Sequence, residues 1–317
     1  MKPDDAAHLT TWLASGLHAS MSYMAARAAV RDELRHWYPD AKSVLVCGFN
    51  YAGNTPEPSV PGKGRVSRYA RLPDYHDSLK ARLAGVLEWL KRRQPGADGR
   101  VFVDSSPVLE RAYARLAGLG WVGKNTMLIN RKNGSYFFIA GIAVNLELPP
   151  DGDSGDGFCG SCTACLDACP TDAFPRERVL DASRCVSYLT IEHREAIPEE
   201  LRSGVQDRLF GCDICQEVCP WNRFAKAGAA FPPPGEPALD LEELAALDDA
   251  AFRARFRGSP LWRTKWRGLV RDALLLMGNA GDPRHVPTLE RYAAHEDPVL
   301  SEQARWSLAR CRAGARA

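Results

Sequence analysis

The feature that most constrains this chain is a pair of related cysteine runs. Residues 159–170 read CGSCTACLDACP, with the spacing C-x2-C-x2-C-x3-C-P, and residues 212–220 read CDICQEVCP, which ends in the same way with one cysteine fewer. Thiolates at two-residue intervals in one loop can each bind a different iron of a 4Fe-4S cluster. In two-cluster ferredoxins, the cysteine before the proline binds the other cluster. The two runs therefore predict two 4Fe-4S clusters that exchange ligands.

The ligand sets follow from this rule and from counting. Eight of the ten cysteines lie between residues 159 and 219, and Cys185 is the only one of them outside the two runs. It therefore supplies the ligand that the second cluster lacks. The predicted sets are Cys159, Cys162, Cys165 and Cys219 for the first cluster, and Cys169, Cys185, Cys212 and Cys215 for the second. Zinc, the alternative, favours two separated C-x2-C pairs with four ligands in all, which does not explain eight cysteines.

The composition is that of an ordinary globular protein. The 317 residues are 45% hydrophobic and 25% charged, with a formal net charge of +2, so the whole molecule is not an obvious polyanion binder. Residues 251–317, however, contain 13 Lys and Arg against 6 Asp and Glu. We see no secretory signal and no apolar run of the ~18 residues that a membrane helix needs. The sequence therefore predicts a cytoplasmic protein without membrane contact, in which cysteines bind metal rather than form disulfides.

Three segments differ in pattern. Residues 1–150 predict an α/β (α+β) domain, with a helix over 77–93 capped by Asp77 and an "NGS" hairpin turn between later strands. Residues 151–228 hold the cysteines and predict a ferredoxin-like two-cluster module. Residues 229–317 predict a helical tail, in which Asp-Pro turns between amphipathic helices are typical of a HEAT-like repeat.

Three side chains outside the cysteine runs are interpreted from their local sequence. Cys47 and Cys311 are predicted to be small buried apolar groups. Asp104 follows the apolar strand "RVFV". It either caps a helix that begins at Pro107 or is a functional carboxyl at the end of the strand. The cysteines alone are compatible with a ferredoxin-type electron-transfer subunit, the simplest function for two clusters.

The order of five motifs narrows the choice. "SRYARLPDYH" (67–76), "VDSSPVLER" (103–111), "AGLGWVGKN" (117–125), the cluster module and "CPWNRF" (219–224) together resemble epoxyqueuosine reductase. This resemblance covers roughly residues 20–317. The family usually begins with a further helix and strand before the region that matches residues 20–34, and these are not in this sequence.

The resemblance implies a reaction and its cofactors. Two 4Fe-4S clusters, supplied by an external low-potential donor, would pass electrons to cobalamin in the α/β domain. The reduced cobalt would open the epoxide of epoxyqueuosine in the anticodon of tRNA, an acid would protonate the oxygen, and water would leave. The resemblance makes Asp104 that acid, which would require its pKa to rise from about 3.9 towards 7. It also implies residues that bind substrate or cobalamin: Tyr75, His76, Arg111, Gly120, Trp121, Gly123, Lys124 and Asn125.

The basic tail is the candidate contact with tRNA, because phosphates attract Lys and Arg. The candidates are Arg253, Arg255, Arg257, Arg263, Lys265, Arg267 and Arg271. We expect a monomer. A corrinoid reductive dehalogenase is the first alternative, but such enzymes usually carry a twin-arginine export signal that this N-terminus lacks. A ferredoxin-type subunit is the second, and it would not need "VDSSPVLER".

Overall fold

The structure is a computed structural model and describes residues 3–53, 57–155 and 157–314. Its α-helices are α1 (Asp5–Ala14), α2 (Ser22–Ala26), α3 (Ala28–Asp32), α4 (Tyr75–Arg93), α5 (Glu110–Leu116), α6 (Ala164–Asp167), α7 (Val186–Ile191), α8 (Glu199–Arg202), α9 (Ile214–Glu217), α10 (Leu241–Ala245), α11 (Asp249–Phe256), α12 (Lys265–Ala280), α13 (Val286–Ala293) and α14 (Pro298–Gly314). Its strands are β1 (Ser43–Asn50), β2 (Lys63–Val66), β3 (Gly99–Val103), β4 (Trp121–Val122), β5 (Leu128–Ile129), β6 (Phe137–Val144), β7 (Arg208–Phe210) and β8 (Ala238–Asp240).

The first sheet lies in the predicted α/β region and has the order β1-β6-β3, with both pairs antiparallel. Strand β6 is central and nearly all its side chains are buried, which explains its almost continuous apolar sequence FFIAGIAV. Helix α4 packs on this sheet through Leu79, Leu83 and Leu87, which recur at the four-residue spacing of one helical face. The end of β3 therefore lies close to the start of α4.

Two local predictions in this region are wrong. Helix α4 begins at Tyr75 and its cap is Asp74, whose carboxylate accepts the backbone N–H of His76 at 3.0 Å, so Asp77 is inside the first turn. The "NGS" turn closes on a single bridge between Asn130 and Gly134 rather than on paired strands. Strand β6, which follows the turn, pairs with β1 and β3 instead, because the sheet buries its apolar side chains.

The second sheet has the order β7-β2-β8 and draws one strand from each of the three predicted segments. Strand β2 pairs in parallel with β7 and antiparallel with β8. Gly64 in β2 packs so closely that an added Cβ would stand 2.6 Å from the Cβ of Leu209 and 2.8 Å from a methyl of Leu276. A glycine is needed there because the sheet lies directly against α12.

The largest apolar core joins the cluster module to the helical tail. It runs from Val66 in β2 through Leu189 and Leu209 to Leu274 and Leu300. Helix α12 is buried along most of its length and packs against α14, and the predicted Asp-Pro turns lie between α12, α13 and α14. The prediction for Cys311 is confirmed, since it is fully buried in α14. Cys47 is exposed on the sheet-edge strand β1, so its predicted burial is wrong.

Among the residues that the structure describes, no helix combines the length and the apolar character needed to cross a bilayer.

Candidate active site and cluster ligands

Asp104 lies directly after β3, in the turn that leads to α5, and has a φ of +32°. Aspartate and asparagine tolerate this left-handed region better than most residues. Helix α5 begins six residues later at Glu110, with Leu109 as its cap, so the helix-cap interpretation of Asp104 is wrong. The Asp104 side chain is 64% exposed. It therefore presents a carboxylate to solvent at the end of an apolar strand. We refer to the surface around it, which Tyr75, His76 and Arg263 flank, as the Asp104 cleft.

Two neighbours hold this carboxylate by the same oxygen. The hydroxyl of Tyr75 donates to Oδ2 of Asp104 at 2.9 Å, and Nε2 of His76 lies 3.0 Å from that oxygen. The rings of Tyr75 and His76 stack with their centroids 4.2 Å apart. The structure thus brings together three residues that the resemblance singled out, and Oδ2 of Asp104 is their shared contact.

The charge state of Asp104 differs from the expectation. Partial desolvation by the surrounding protein raises the pKa of Asp104 although its side chain is open to solvent. The hydrogen bond and positive charge of His76 and the hydrogen bond from Tyr75 outweigh this effect, so that the pKa lies below its usual value. The pKa of His76 moves the other way. Burial lowers it, and the carboxylates of Asp104 and Asp74 raise it by more. The direction at Asp104 is therefore opposite to the predicted upward shift, and the raised pKa of His76 favours a protonated ring.

Other charged groups surround the cleft. Burial and the charge of Asp104 raise the pKa of Glu110 to about 8, and its Oε1 is buried without a hydrogen-bond partner among the residues that the structure describes. Arg111 lies within electrostatic range of both carboxyls, and its guanidinium donates to the carbonyl of Thr126. Glu110 was missed from the sequence, although its place beside Arg111 in "VLER" was a signal.

The helical tail also reaches this cleft. Arg263 pairs with Glu192 of the cluster module at 2.8 Å, and its guanidinium lies 5.7 Å from the ring centroid of Tyr23, which is 40% exposed. The charge of Arg263 contributes to the lowered pKa of Asp104. Of the basic residues predicted from the tail, Arg263 thus stands nearest to the carboxylate site. Tyr23 and Glu192 had no signal in the sequence.

The remaining basic candidates divide into two groups. The side chains of Arg253, Arg255, Arg257 and Lys265 are exposed, and Arg267 is partly exposed beside Asp297. Arg271 is 0% exposed. Its guanidinium pairs with Asp272 at 2.7 Å and donates to the carbonyls of Leu189, His193 and Glu195. Its prediction as an RNA contact is wrong, because this arginine is buried within α12 and links that helix to the cluster module.

The "GLGWVGKN" segment lies beside the first cysteine set. A Cβ on Gly120 would collide with the carbonyl of Ile129, and one on Gly123 with the Ile129 side chain, so both glycines serve the close packing of β4 against β5. Trp121 is 1% exposed between Phe158 and Trp221. The structure therefore does not support a ligand contact for Gly120, Gly123 or Trp121.

The first predicted cysteine set surrounds one cavity. It is lined by Cys159, Cys162, Cys165, Cys219, Lys124, Asn125, Ile129, Pro220 and Trp221. Within the described ranges, no three His, Cys, Asp or Glu side chains are grouped to hold a single metal ion. A four-iron cluster keeps its thiolates farther apart than one ion does, because each sulfur binds a different iron. Lys124 and Asn125 thus stand beside this cavity.

The second set is brought together by the fold of the module. Burial raises the pKa of Cys215, and the negative charges of Cys212, Cys185 and Cys165 raise it further, so these sulfurs lie within electrostatic range. The charge of Cys169 acts in the same way on Cys185, whose pKa burial raises. Cys165 belongs to the first set, so the two sets are close neighbours. The amide of Asn125 also donates to the backbone carbonyl of Cys215 at 3.1 Å.

Two family models match regions of this chain that contain the residues described above. Residues 158–222 match the family described as "4Fe-4S double cluster binding domain", and residues 31–105 match "Epoxyqueuosine reductase QueG, DUF1730". An epoxyqueuosine reductase of Pseudomonas aeruginosa is 43% identical over 314 residues, which covers 96% of this chain and 86% of that protein.

Two solved structures have the same fold. A selenomethionine-labelled epoxyqueuosine reductase superposes with a TM-score of 0.85 at 28% identity, covering 98% of this chain and 84% of its own. An epoxyqueuosine reductase with a tRNA-Tyr epoxyqueuosine-modified stem loop superposes with a TM-score of 0.81 at 25% identity, covering 98% of this chain and 92% of its own.

Proposed function

This chain belongs to the epoxyqueuosine reductase family, and we propose on that premise that it reduces the epoxide of epoxyqueuosine in tRNA to queuosine. The net reaction takes up two electrons and two protons and releases one water. The observation that carries the proposal is the Asp104 carboxylate, exposed at the end of β3 and hydrogen-bonded by Tyr75 and His76. An epoxide oxygen must be protonated as its C–O bond breaks, and we propose that this group supplies the proton.

The chain carries a double-cluster domain, and we propose the partition of its ligands given above. Cys159, Cys162, Cys165 and Cys219 would bind one 4Fe-4S cluster because they line one cavity. Cys169, Cys185, Cys212 and Cys215 would bind the other. The neighbouring Cys165 and Cys215 would keep the clusters close enough to exchange electrons.

We propose that a ligand covers the exposed carboxylate of Asp104. The 64% exposure of the Asp104 side chain and the unpaired Oε1 of Glu110 are features that a large bound cofactor would complete. We propose cobalamin there, with Tyr23 and Arg111 at the rim. Bound cobalamin would supply a strongly nucleophilic metal centre once the clusters had reduced it.

The protein's own task is to place the substrate, exclude water and deliver a proton. We propose that the carboxyl group of Asp104 gives the proton to the substrate oxygen. Tyr75 then stabilises the remaining carboxylate by donating to Oδ2, because a carboxylate that accepts a hydrogen bond is a weaker base. General acid catalysis of this kind contributes typically about 10²–10⁴-fold to a rate.

We propose that the tRNA is bound by the exposed basic side chains of the helical tail. Arg263 would contact the RNA nearest to the modified base, since it reaches the Asp104 cleft, while Arg253, Arg255 and Arg257 would lie farther out. A relative solved with a modified tRNA stem loop supports this choice of substrate. The base itself must leave the anticodon stack to reach the cleft.

Four further expectations remain proposals: a HEAT-like repeat in the tail, an external low-potential electron donor, a monomer and a cytoplasmic location. The two alternative functions, a reductive dehalogenase and an electron-transfer subunit, are not favoured by the relatives of this chain.

The test is turnover under anaerobic conditions. Protein with both clusters is incubated with cobalamin, a strong reductant and epoxyqueuosine-containing tRNA, and the digested nucleosides are weighed by mass spectrometry. We expect loss of one oxygen atom from the modified base. Asp104→Asn should keep its clusters and cobalamin affinity but lose about 10²–10⁴-fold in rate, and asparagine suits the positive φ. Unchanged nucleosides with all cofactors bound would refute the proposed reaction, and wild-type rates in Asp104→Asn would refute the acid.

A further inference from the structure

His76 lies between two carboxylates, and this arrangement has a consequence for the proton that the proposed reaction consumes. Its Nε2 is 3.0 Å from Oδ2 of Asp104 and its Nδ1 is 2.7 Å from Oδ1 of Asp74. An ionised carboxylate can only accept hydrogen bonds. Both ring nitrogens must therefore carry hydrogen when both carboxylates are ionised, and the ring is then a cation.

The same proton count describes a second state. If the proton moves from Nε2 of His76 to Oδ2 of Asp104, the pair becomes a neutral imidazole and a neutral carboxylic acid. Nδ1 still donates to Asp74. The two states differ by one proton transfer over 3.0 Å, so His76 and Asp104 titrate as a coupled pair rather than as separate groups. Asp104 can thus act as an acid although its own pKa is lowered.

We propose that Asp74 is a positioning residue for this proton-donating pair, because it holds His76 with Nε2 towards Asp104 and stabilises the charged ring. This inference rests on the proposed function for its role in turnover. After the proton has gone to the substrate oxygen, the pair is left as carboxylate and neutral imidazole. It regains one proton from solvent to start again.

The position of Asp74 is fixed independently of the His76 ring. Its backbone N–H donates to the carbonyl of Gly258 in the tail at 3.0 Å, and its carboxylate caps α4. The cap and the contact with the ring use the same oxygen, Oδ1. Asparagine caps helices as well as aspartate does. Asp74→Asn therefore removes the charge and keeps the cap.

Other charged groups facing the pair do not replace Asp74. Arg263 from the tail acts on Asp104 and lowers its pKa, and Glu110 from α5 lies within electrostatic range of Asp104. Tyr75, which stacks on the ring, donates to Asp104 and not to His76. The carboxylates of Asp74 and Asp104 are the groups that raise the pKa of His76 against the effect of burial.

The experiment measures the titration of His76 without relying on activity. Hydrogen exchange at the imidazole C2 position is followed by mass spectrometry of the peptide that contains His76, over a range of pH, in anaerobic protein with both clusters. Wild type should titrate above the ordinary histidine value of about 6.5. Asp74→Asn should titrate at least about one pH unit lower, since a close carboxylate shifts a pKa by roughly 1–3 units. Asp77→Asn removes the same charge from the same turn of α4 and should leave the midpoint unchanged.

Turnover supplies the second readout. The pair holds its proton below its upper apparent pKa, so activity is lost as pH rises through that value. Asp74→Asn should move this alkaline limb to lower pH by the shift seen at His76, without changing KM for tRNA. In Asp74→Glu, which keeps the charge, the alkaline limb should lie between those of Asp74→Asn and wild type.

The outcomes separate the two proposals. An unchanged His76 midpoint in Asp74→Asn overturns the inference, as does a uniform loss of activity without a shift of the limb. A lowered midpoint in protein that does not turn over modified tRNA supports the positioning role and removes only the proposed reaction. If Asp74→Asn fails to fold, Asp74→Ser retains a capping oxygen and is measured in its place, with the same midpoints deciding.

Discussion

Arg271 offers a test of the difference between a buried link and an RNA contact. Its guanidinium pairs with Asp272, which is also fully buried, and donates to three backbone carbonyls of the cluster module. In Arg271→Met, a side chain of similar length fills the space and none of these groups keeps its partner. Burial already raises the pKa of Asp272 to about 7 against the opposing effect of Arg271. Without the arginine, Asp272 would take up a proton.

The free-energy cost of Arg271→Met follows from these contacts. Removing one partner of a buried ion pair costs about 3–5 kcal/mol, and each unpaired buried carbonyl about 1–3 kcal/mol. Protonation of Asp272 reduces the first contribution, and the others do not add fully. We therefore expect Arg271→Met to lower the free energy of local opening of α12 by at least about 4 kcal/mol. This corresponds to a loss of about three orders of magnitude in hydrogen-exchange protection.

The assay is amide hydrogen exchange of the full chain with both clusters, followed by mass spectrometry of peptides from α12. Arg267→Met is the matched control on the same helix, because Arg267 is partly exposed and its pair with Asp297 is worth less than about 1 kcal/mol. Protection of α12 in Arg271→Met within tenfold of wild type would contradict the reasoning. So would an equal loss in Arg267→Met.

Three further predictions concern other sites. Arg263→Ala should weaken binding of a modified tRNA stem loop and reduce the salt dependence of that binding by about one unit of slope; affinity unchanged at every salt concentration would contradict the contact. Cys219→Ser should lose the iron of one cluster and keep the other, measured by iron and sulfide content and electron paramagnetic resonance, whereas loss of both or neither would refute the partition. Gly120→Ala should lower the melting temperature, because its Cβ meets the carbonyl of Ile129, while Gly85→Ala, with open space around its Cβ, should not.

The sequence predicted the site best where chemistry dictates spacing. Ligands at C-x2-C intervals follow from the geometry of a metal cluster, and the first set, closed by Cys219, surrounds one cavity as expected. Asp104 could be placed after an apolar strand because apolar runs of this length form strands. Its partners Tyr75 and His76 were found only through family resemblance, since they lie on α4, whereas Asp104 lies in the turn after β3.

The errors have physical reasons too. Asp77 and Asp74 are both good helix caps, and only the packing of Leu79 against the sheet decides where the helix begins. The pKa of Asp104 depends on the ring beside it, which no local pattern reveals. Arg271 and Arg263 look alike in a basic segment, yet one is buried and the other exposed. Tertiary contacts settle each of these cases.

The sheet β7-β2-β8 has a consequence for how the protein is made on the ribosome. Strand β2 ends at Val66, but its partners end at Phe210 and Asp240. Pairing over such sequence separations is slow, and both edges of β2 stay exposed until β7 and β8 have been synthesised. In the nascent chain, β2 therefore lacks at least one partner strand during most of the synthesis. The clusters must be inserted into a framework that is complete only once the last quarter of the chain is being synthesised. Fragments that end before β8 should therefore bind clusters poorly.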